Sequence, residues 1–109
     1  MEDWNTLLAK IRDFNNERDW SQFHNKKDLA LAISIEAGEL NELFLWKQAD
    51  EADYEKVKDE LADIITYTLL LADKYGFDIN EIVSQKIDKN ALKYPVEKAK
   101  GSAKKYNEL

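Results

Sequence analysis

The sequence contains no cysteine, which excludes disulfide scaffolds, thiolate metal sites and cysteine nucleophiles. Its single histidine, His24, excludes sites that need two imidazoles, including di-iron bundles that draw a Glu-x-x-His from each of two helices. Three glycines and one proline leave few places for turns, which is the composition of a helical protein. No apolar run approaches the roughly 20 residues of a membrane span. The opening segment MEDWNTLL has no basic region followed by an apolar one. A soluble, cytoplasmic protein without a membrane partner is expected. Positive charge is also scarce: 16 basic residues face 22 acidic ones, a net charge of −6. That argues against nucleic acid as a partner. A small phosphorylated substrate stays open, provided a cation stands between carboxylates and phosphates.

What is present is a chain of 109 residues, 44% hydrophobic and 35% charged, enough for one domain over residues 1–109. The 3.6-residue period predicts four helices. The first runs from about Asp3 to Glu17, with Leu7, Leu8, Ile11 and Phe14 as its apolar stripe. A connector, Arg18 to Lys27, carries Trp20, Phe23 and His24. Asp28 is a candidate cap for the second helix, which continues to about Gln48. After an acidic turn, Ala49 to Asp53, a third helix ends near Tyr75, where Gly76 supplies a left-handed residue. Asp78 caps the fourth, which stops near Tyr94 because Pro95 disfavours helix in the residue before it. The tail, Val96 to Leu109, is expected to pack as an arm. In the third helix Ile64, Ile65, Leu69, Leu70 and Leu71 point all round the axis. A helix apolar on every side is buried on every side, so a second copy of the chain is expected to cover it.

Carboxylates stand where apolar residues are expected. On the second helix Leu29, Ala32, Ile33, Leu40, Leu43 and Phe44 form one stripe. Glu36 falls near its middle and Glu39 just off its edge. On the third helix Val57, Leu61, Ile64, Thr68 and Leu71 form the stripe, bordered by Glu60, Asp63 and Tyr67. Four carboxylates from two packed helices cannot all stay ionised at contact distance without a counter-cation. An all-oxygen set suits a hard ion, Mg²⁺ or Mn²⁺. The plainer alternative is an acidic helix surface paired with lysines. On the fourth helix Lys86 and Asn90 lie within the stripe and Tyr94 one turn further on. They are either contacts for phosphate and base or structural partners of the acids. Trp20 and Trp46 are either core or a clamp for a base, worth roughly 1–3 kcal/mol per stacked base. His24 alone reads as readily as a capping or surface residue.

The segment RDWSQFH, then LALAISIEAGELNELFLWK, DELADIITYTLLLAD and the closing YP, KGSA and KY together resemble the MazG-like all-α nucleoside triphosphate pyrophosphohydrolases. Within these the dCTP pyrophosphatase group is the most similar. The resemblance covers nearly the whole chain, from about Phe14 to Leu109. It implies a four-helix-bundle-like fold that assembles as a dimer or dimer of dimers. The implied reaction is hydrolysis of a deoxynucleoside triphosphate to monophosphate and pyrophosphate, as house-cleaning of the nucleotide pool. It further implies that Glu36, Glu39, Glu60 and Asp63 hold Mg²⁺, with Glu39 and Glu60 the catalytic pair. Trp20, His24, Trp46, Tyr67, Lys86, Asn90 and Tyr94 would bind substrate. Vertebrate members carry a histidine near the base where this chain has Ile11, which leaves dATP and other deoxynucleotides open beside dCTP. Two rival readings are a pyrophosphohydrolase for dUTP or phosphoribosyl-ATP, and a non-catalytic helical interaction module.

Overall fold

The computed structural model describes residues 3–109. Its elements are α1 (Trp4–Glu17), α2 (Lys26–Glu42), α3 (Tyr54–Tyr75), α4 (Ile79–Lys93) and a single turn, α5 (Val96–Ala99). Short 3₁₀ segments cover Ser21–Phe23 and Tyr106–Glu108. No strand occurs among the described residues, and none of their helices is long and apolar enough to cross a membrane. The chain divides into two compact units, Met1–Phe77 and Asp78–Leu109.

In the first unit each helix starts on a side-chain cap that accepts an otherwise unpaired backbone N–H. Asp3 accepts from Thr6 N at 2.7 Å and Asp53 from Lys56 N at 3.1 Å. The cap of α2 is Asn25 rather than Asp28. Its oxygen accepts from Asp28 N at 2.8 Å and its amide nitrogen donates to the Asp28 carboxylate at 2.7 Å. Asp28 therefore sits inside the first turn, where its charge also suits the helix dipole.

α2 ends at Glu42, six residues before the expected Gln48. From Leu43 to Leu45 each N–H reaches a carbonyl three residues back: Leu43 N to Leu40 O, Phe44 N to Asn41 O and Leu45 N to Glu42 O. The tighter winding ends at Trp46, whose φ is +62°. The apolar run Leu43–Trp46 is thus a succession of turns, not helix.

α1 and α3 stop in the same way. Asp19 (φ 54°) and Gly76 (φ 74°) take the left-handed position, which Asp tolerates and Gly adopts freely. Around Asp19, its own N–H bonds Asn16 O while Trp20 N–H bonds Asn15 O at 2.9 Å. Around Gly76, its N–H bonds Asp73 O while Phe77 N–H bonds Ala72 O. Both are Schellman closures. The first folds Trp20 back onto Phe14, ring centroids 5.6 Å apart and edge to face.

α3 packs against α2 along its length and against α1. The buried apolar core is small: Leu29, 1% exposed, with Leu69, Leu70 and Ala72. The inward face of α3 is rotated by about one residue from the expected stripe. Val57, Glu60, Ile64, Tyr67 and Leu71 are half-buried, whereas Leu61 and Thr68 are exposed. The face that packs on α2 thus takes in Glu60 and Tyr67 directly, at the expense of the neighbouring apolar residues. On α1 it is Asn15, not Phe14, that is buried.

In the second unit Asp78 caps α4, accepting from Glu81 N at 3.0 Å. The tail folds back through Tyr106, which meets Tyr94 edge to face at 6.2 Å and lies under the Lys93 ammonium. No residue of α4 is buried.

Candidate active site

The α2–α3 pair brings the acids together because of where they stand in the chain. Glu36 lies six residues before the end of α2, and Glu60 six residues after the start of α3. When two consecutive helices pack back to back, such positions meet at the same level. One carboxylate oxygen from each of Glu36, Glu60 and Asp63 lies within 4.8 Å of the other two. Glu36 and Glu60 are half-buried and Asp63 is exposed. Glu39, one turn along α2, is also exposed and stands outside this group of three, although its carboxyl acts on that of Glu36.

The electrostatic consequence falls on Glu36. Its contact with the Glu60 carboxyl, its burial and its contact with Glu39, in that order, push its pKa up to about 8. Two like charges at this range cannot both ionise. Glu36 Oε2 and Glu60 Oε2 are buried and have no hydrogen-bond partner. Buried carboxylate oxygens are ordinarily satisfied, and here no lysine or arginine forms an ion pair with either acid among the described residues. The donor set is hard oxygen throughout, and it fits a divalent cation such as Mg²⁺ or Mn²⁺.

A cavity of about 420 Å³ adjoins the acids, with Asp63 in its wall. This is within the range of small-molecule sites. Leu7, Lys10, Ile11, Phe14 and Asn15 of α1 line one side, Trp20 and His24 of the connector another, and Thr66, Tyr67 and Leu70 of α3 the rest. His24 stands edge-on to Tyr67, centroids 6.5 Å apart. Burial, with a smaller contribution from Lys74, lowers the His24 pKa, so the imidazole is neutral at pH 7. Burial and then the charges of Glu36, Asp63 and Glu39 raise that of Tyr67, which keeps its phenolic proton as a hydrogen-bond donor.

Of the expected site residues, Glu36, Glu60 and Asp63 converge, and Trp20, His24 and Tyr67 line the cavity beside them. Trp46 does not line it; it is 93% exposed on the turns after α2. Lys86, Asn90 and Tyr94 belong to the second unit, where Lys86 and Asn90 are exposed and Tyr94 is half-buried against Tyr106. The reading of the sequence missed Asn15. It lies four residues beyond Ile11 on the α1 stripe, the same signal of a polar residue on an apolar face that marked Glu36.

The model of the MazG-like family matches residues 31–109. Over the whole chain the sequence is 40% identical to dCTP pyrophosphatase 1 of Bos taurus, covering 68% of that protein, and 38% identical to dCTP pyrophosphatase 1 of Homo sapiens, covering 67%. Among solved structures, a pyrophosphatase from Archaeoglobus fulgidus superposes with a TM-score of 0.77 at 35% identity, over 87% of this chain and 94% of that one.

Proposed function

Since the chain belongs to the MazG-like family, we propose that residues 1–109 act as one domain that hydrolyses a deoxynucleoside triphosphate, dCTP foremost, to the monophosphate and pyrophosphate. As a nucleoside triphosphate pyrophosphohydrolase it serves to clear the nucleotide pool. The observation that carries the reading is the pair of buried, unpartnered oxygens of Glu36 and Glu60 beside an aromatic-walled cavity. One end suits a cation and its phosphates, the other a base.

Glu36, Glu60 and Asp63, with Glu39 as a fourth from the resemblance, would hold Mg²⁺. When bound, such an ion neutralises charge on phosphate oxygens and polarises the phosphoryl group. The chain's own residues do the rest. Asp63 belongs to both the acidic group and the cavity wall, so it ties the reacting end of the substrate to the base end. Trp20, held against Phe14 by the turn at Asp19, offers a ring face for stacking. Tyr67, protonated, donates a hydrogen bond near the acids, and neutral His24 adds no charge to the cavity. Glu39, exposed and outside the group of three, would take a proton from the water that attacks the α-phosphorus. Glu60 is a ligand whose loss should stop turnover. Trp46, Lys86, Asn90 and Tyr94 enter as substrate contacts on the strength of the resemblance. No serine, cysteine or histidine nucleophile is required, so hydrolysis is direct.

A second copy of the chain belongs to the proposal. Leu31 and Ile35 on α2 and Leu61 and Ile65 on α3 are exposed at i, i+4 spacing, and such apolar rows favour a partner. We read the assembly as a dimer or tetramer acting in the cytoplasm.

The test is incubation with each common dNTP and NTP plus Mg²⁺ in ¹⁸O water. Pyrophosphate should appear, fastest with dCTP, and the label should enter the monophosphate. Label solely in pyrophosphate would move the attack to the β-phosphorus. Orthophosphate and diphosphate as products would overturn the mechanism.

A further inference from the structure

Within the cavity one polar side chain has no use in the fold. Asn15 is 5% exposed, lines the cavity, and its amide nitrogen has no hydrogen-bond partner. Buried amides are ordinarily satisfied, and one left unpaired costs stability. Its backbone is fully committed: the carbonyl accepts from both Arg18 N and Trp20 N, which locks the residue into the end of α1. The side chain is therefore held in place yet unpaired, an arrangement suited to a group waiting for a ligand.

The other polar side chains around the cavity are Lys10, His24, Asp63, Thr66 and Tyr67, and of the lining residues Asn15 is the one with a buried, unpartnered side-chain atom. Thr66 donates its hydroxyl proton to Ala62 O of its own helix at 2.8 Å. Tyr67 and Asp63 feel the carboxylates and belong to the phosphate end. Asn15 shares the cavity wall with Ile11, Phe14 and Trp20, whose apolar surfaces suit the faces of a base.

We propose that the Asn15 amide reads the edge of the nucleobase and so sets base selectivity, without taking part in cleavage. This rests on reading the cavity as the nucleotide site. A primary amide offers one acceptor and two donors side by side. That matches the adjacent amino group and ring nitrogen of cytosine, where the amide oxygen accepts from the base amino group and the amide nitrogen donates to the ring nitrogen. A site built to hydrogen-bond a group discriminates strongly against an analogue that lacks it, because the buried polar partner is left unpaired.

The experiment compares wild type, Asn15→Ala and Asn15→Leu in three measurements. The first is kcat and KM for the four dNTPs and for the dCTP analogue whose cytosine is replaced by 2-pyrimidinone, which lacks the amino group. Wild type should show a KM for the analogue roughly tenfold or more above that for dCTP, the scale of one good hydrogen bond. In both variants that gap should shrink to about twofold, because the KM for dCTP rises toward that for the analogue. The second is calorimetric binding of deoxycytidine and its 2-pyrimidinone counterpart to the metal-free protein, where the same gap should appear and vanish. The third is the melting temperature of the ligand-free protein, which Asn15→Leu should leave unchanged or raise, since it removes an unpaired buried amide. An equal loss against every base, a fall in kcat alone, or a gap that survives in the variants overturns the assignment. If wild type releases no pyrophosphate from any dNTP, the functional reading fails by itself, and the nucleoside binding still decides the role of Asn15.

Discussion

Glu36 and Glu60 face each other from the middle of α2 and the start of α3, and each keeps one oxygen buried with no partner. Among the described residues no lysine or arginine forms an ion pair with either acid. The pair is therefore relieved by a proton or by a cation, and the first two expectations below measure the competition between them.

The metal-free protein should lose stability as pH rises. The Glu36 carboxyl is pushed from an ordinary 4.5 up to about 8 in the folded chain. Between those values the folded state holds the proton more firmly than the unfolded state, so unfolding gains ground with pH. The stabilising contribution is complete below about 4.5 and gone above about 8. Melting temperatures in chelator from about pH 5 to about pH 8.5 should decline and then level off. Glu36→Gln should flatten the curve, and Mg²⁺ should raise the melting temperature most at the alkaline end. A curve that climbs through this window in the absence of metal contradicts the pairing.

Glu60→Gln should leave the chain folded and nearly inactive. Removing one charge from the pair relieves repulsion, so melting without metal should hold or improve. Turnover should fall by more than about a hundredfold, in keeping with the several kcal/mol that a bound metal contributes to phosphoryl chemistry. Circular dichroism and a pyrophosphate assay on one sample separate the two effects. Activity within a few-fold of wild type would remove Glu60 from the site.

Leu29→Ala should be among the most damaging substitutions for folding. Leu29 is 1% exposed in a core with few other fully buried residues, and truncating such a leucine costs about 2–5 kcal/mol. Urea unfolding would register this as a lower midpoint with an unchanged slope. A change below about 1 kcal/mol would mean that the helices collapse around the gap.

The exposed rows on α2 and α3 should hold copies of the chain together. Light scattering on wild type should give a dimer or tetramer, and Ile35→Lys combined with Ile65→Lys should give a smaller species. A wild-type monomer would leave those residues without a partner of this kind.

The helices, the left-handed stop at Gly76 and the cap at Asp78 were legible in the sequence because each depends on a short local pattern. The convergence of Glu36, Glu60 and Asp63 was legible too, since a carboxylate on or beside an apolar stripe stands out against its period, whereas Glu39 stands outside the group. Three features were hidden. Asn25 and Asp28 are both good caps, and only the hydrogen bonds between them decide which one leads. The run Leu43–Trp46 is apolar enough to continue a helix, but hydropathy does not reveal the switch to three-residue winding. The burial of Asn15 in place of Phe14 was hidden because it depends on how α1 turns against α3.

The turn at Asp19 has a consequence for how such a protein can diversify. One left-handed residue fixes Asn15 and Trp20 together by closing Trp20 N–H onto the Asn15 carbonyl. The acids stand on a different pair of helices. A lineage could therefore exchange one nucleobase for another by rewriting a six-residue corner, leaving the hydrolytic apparatus inherited intact.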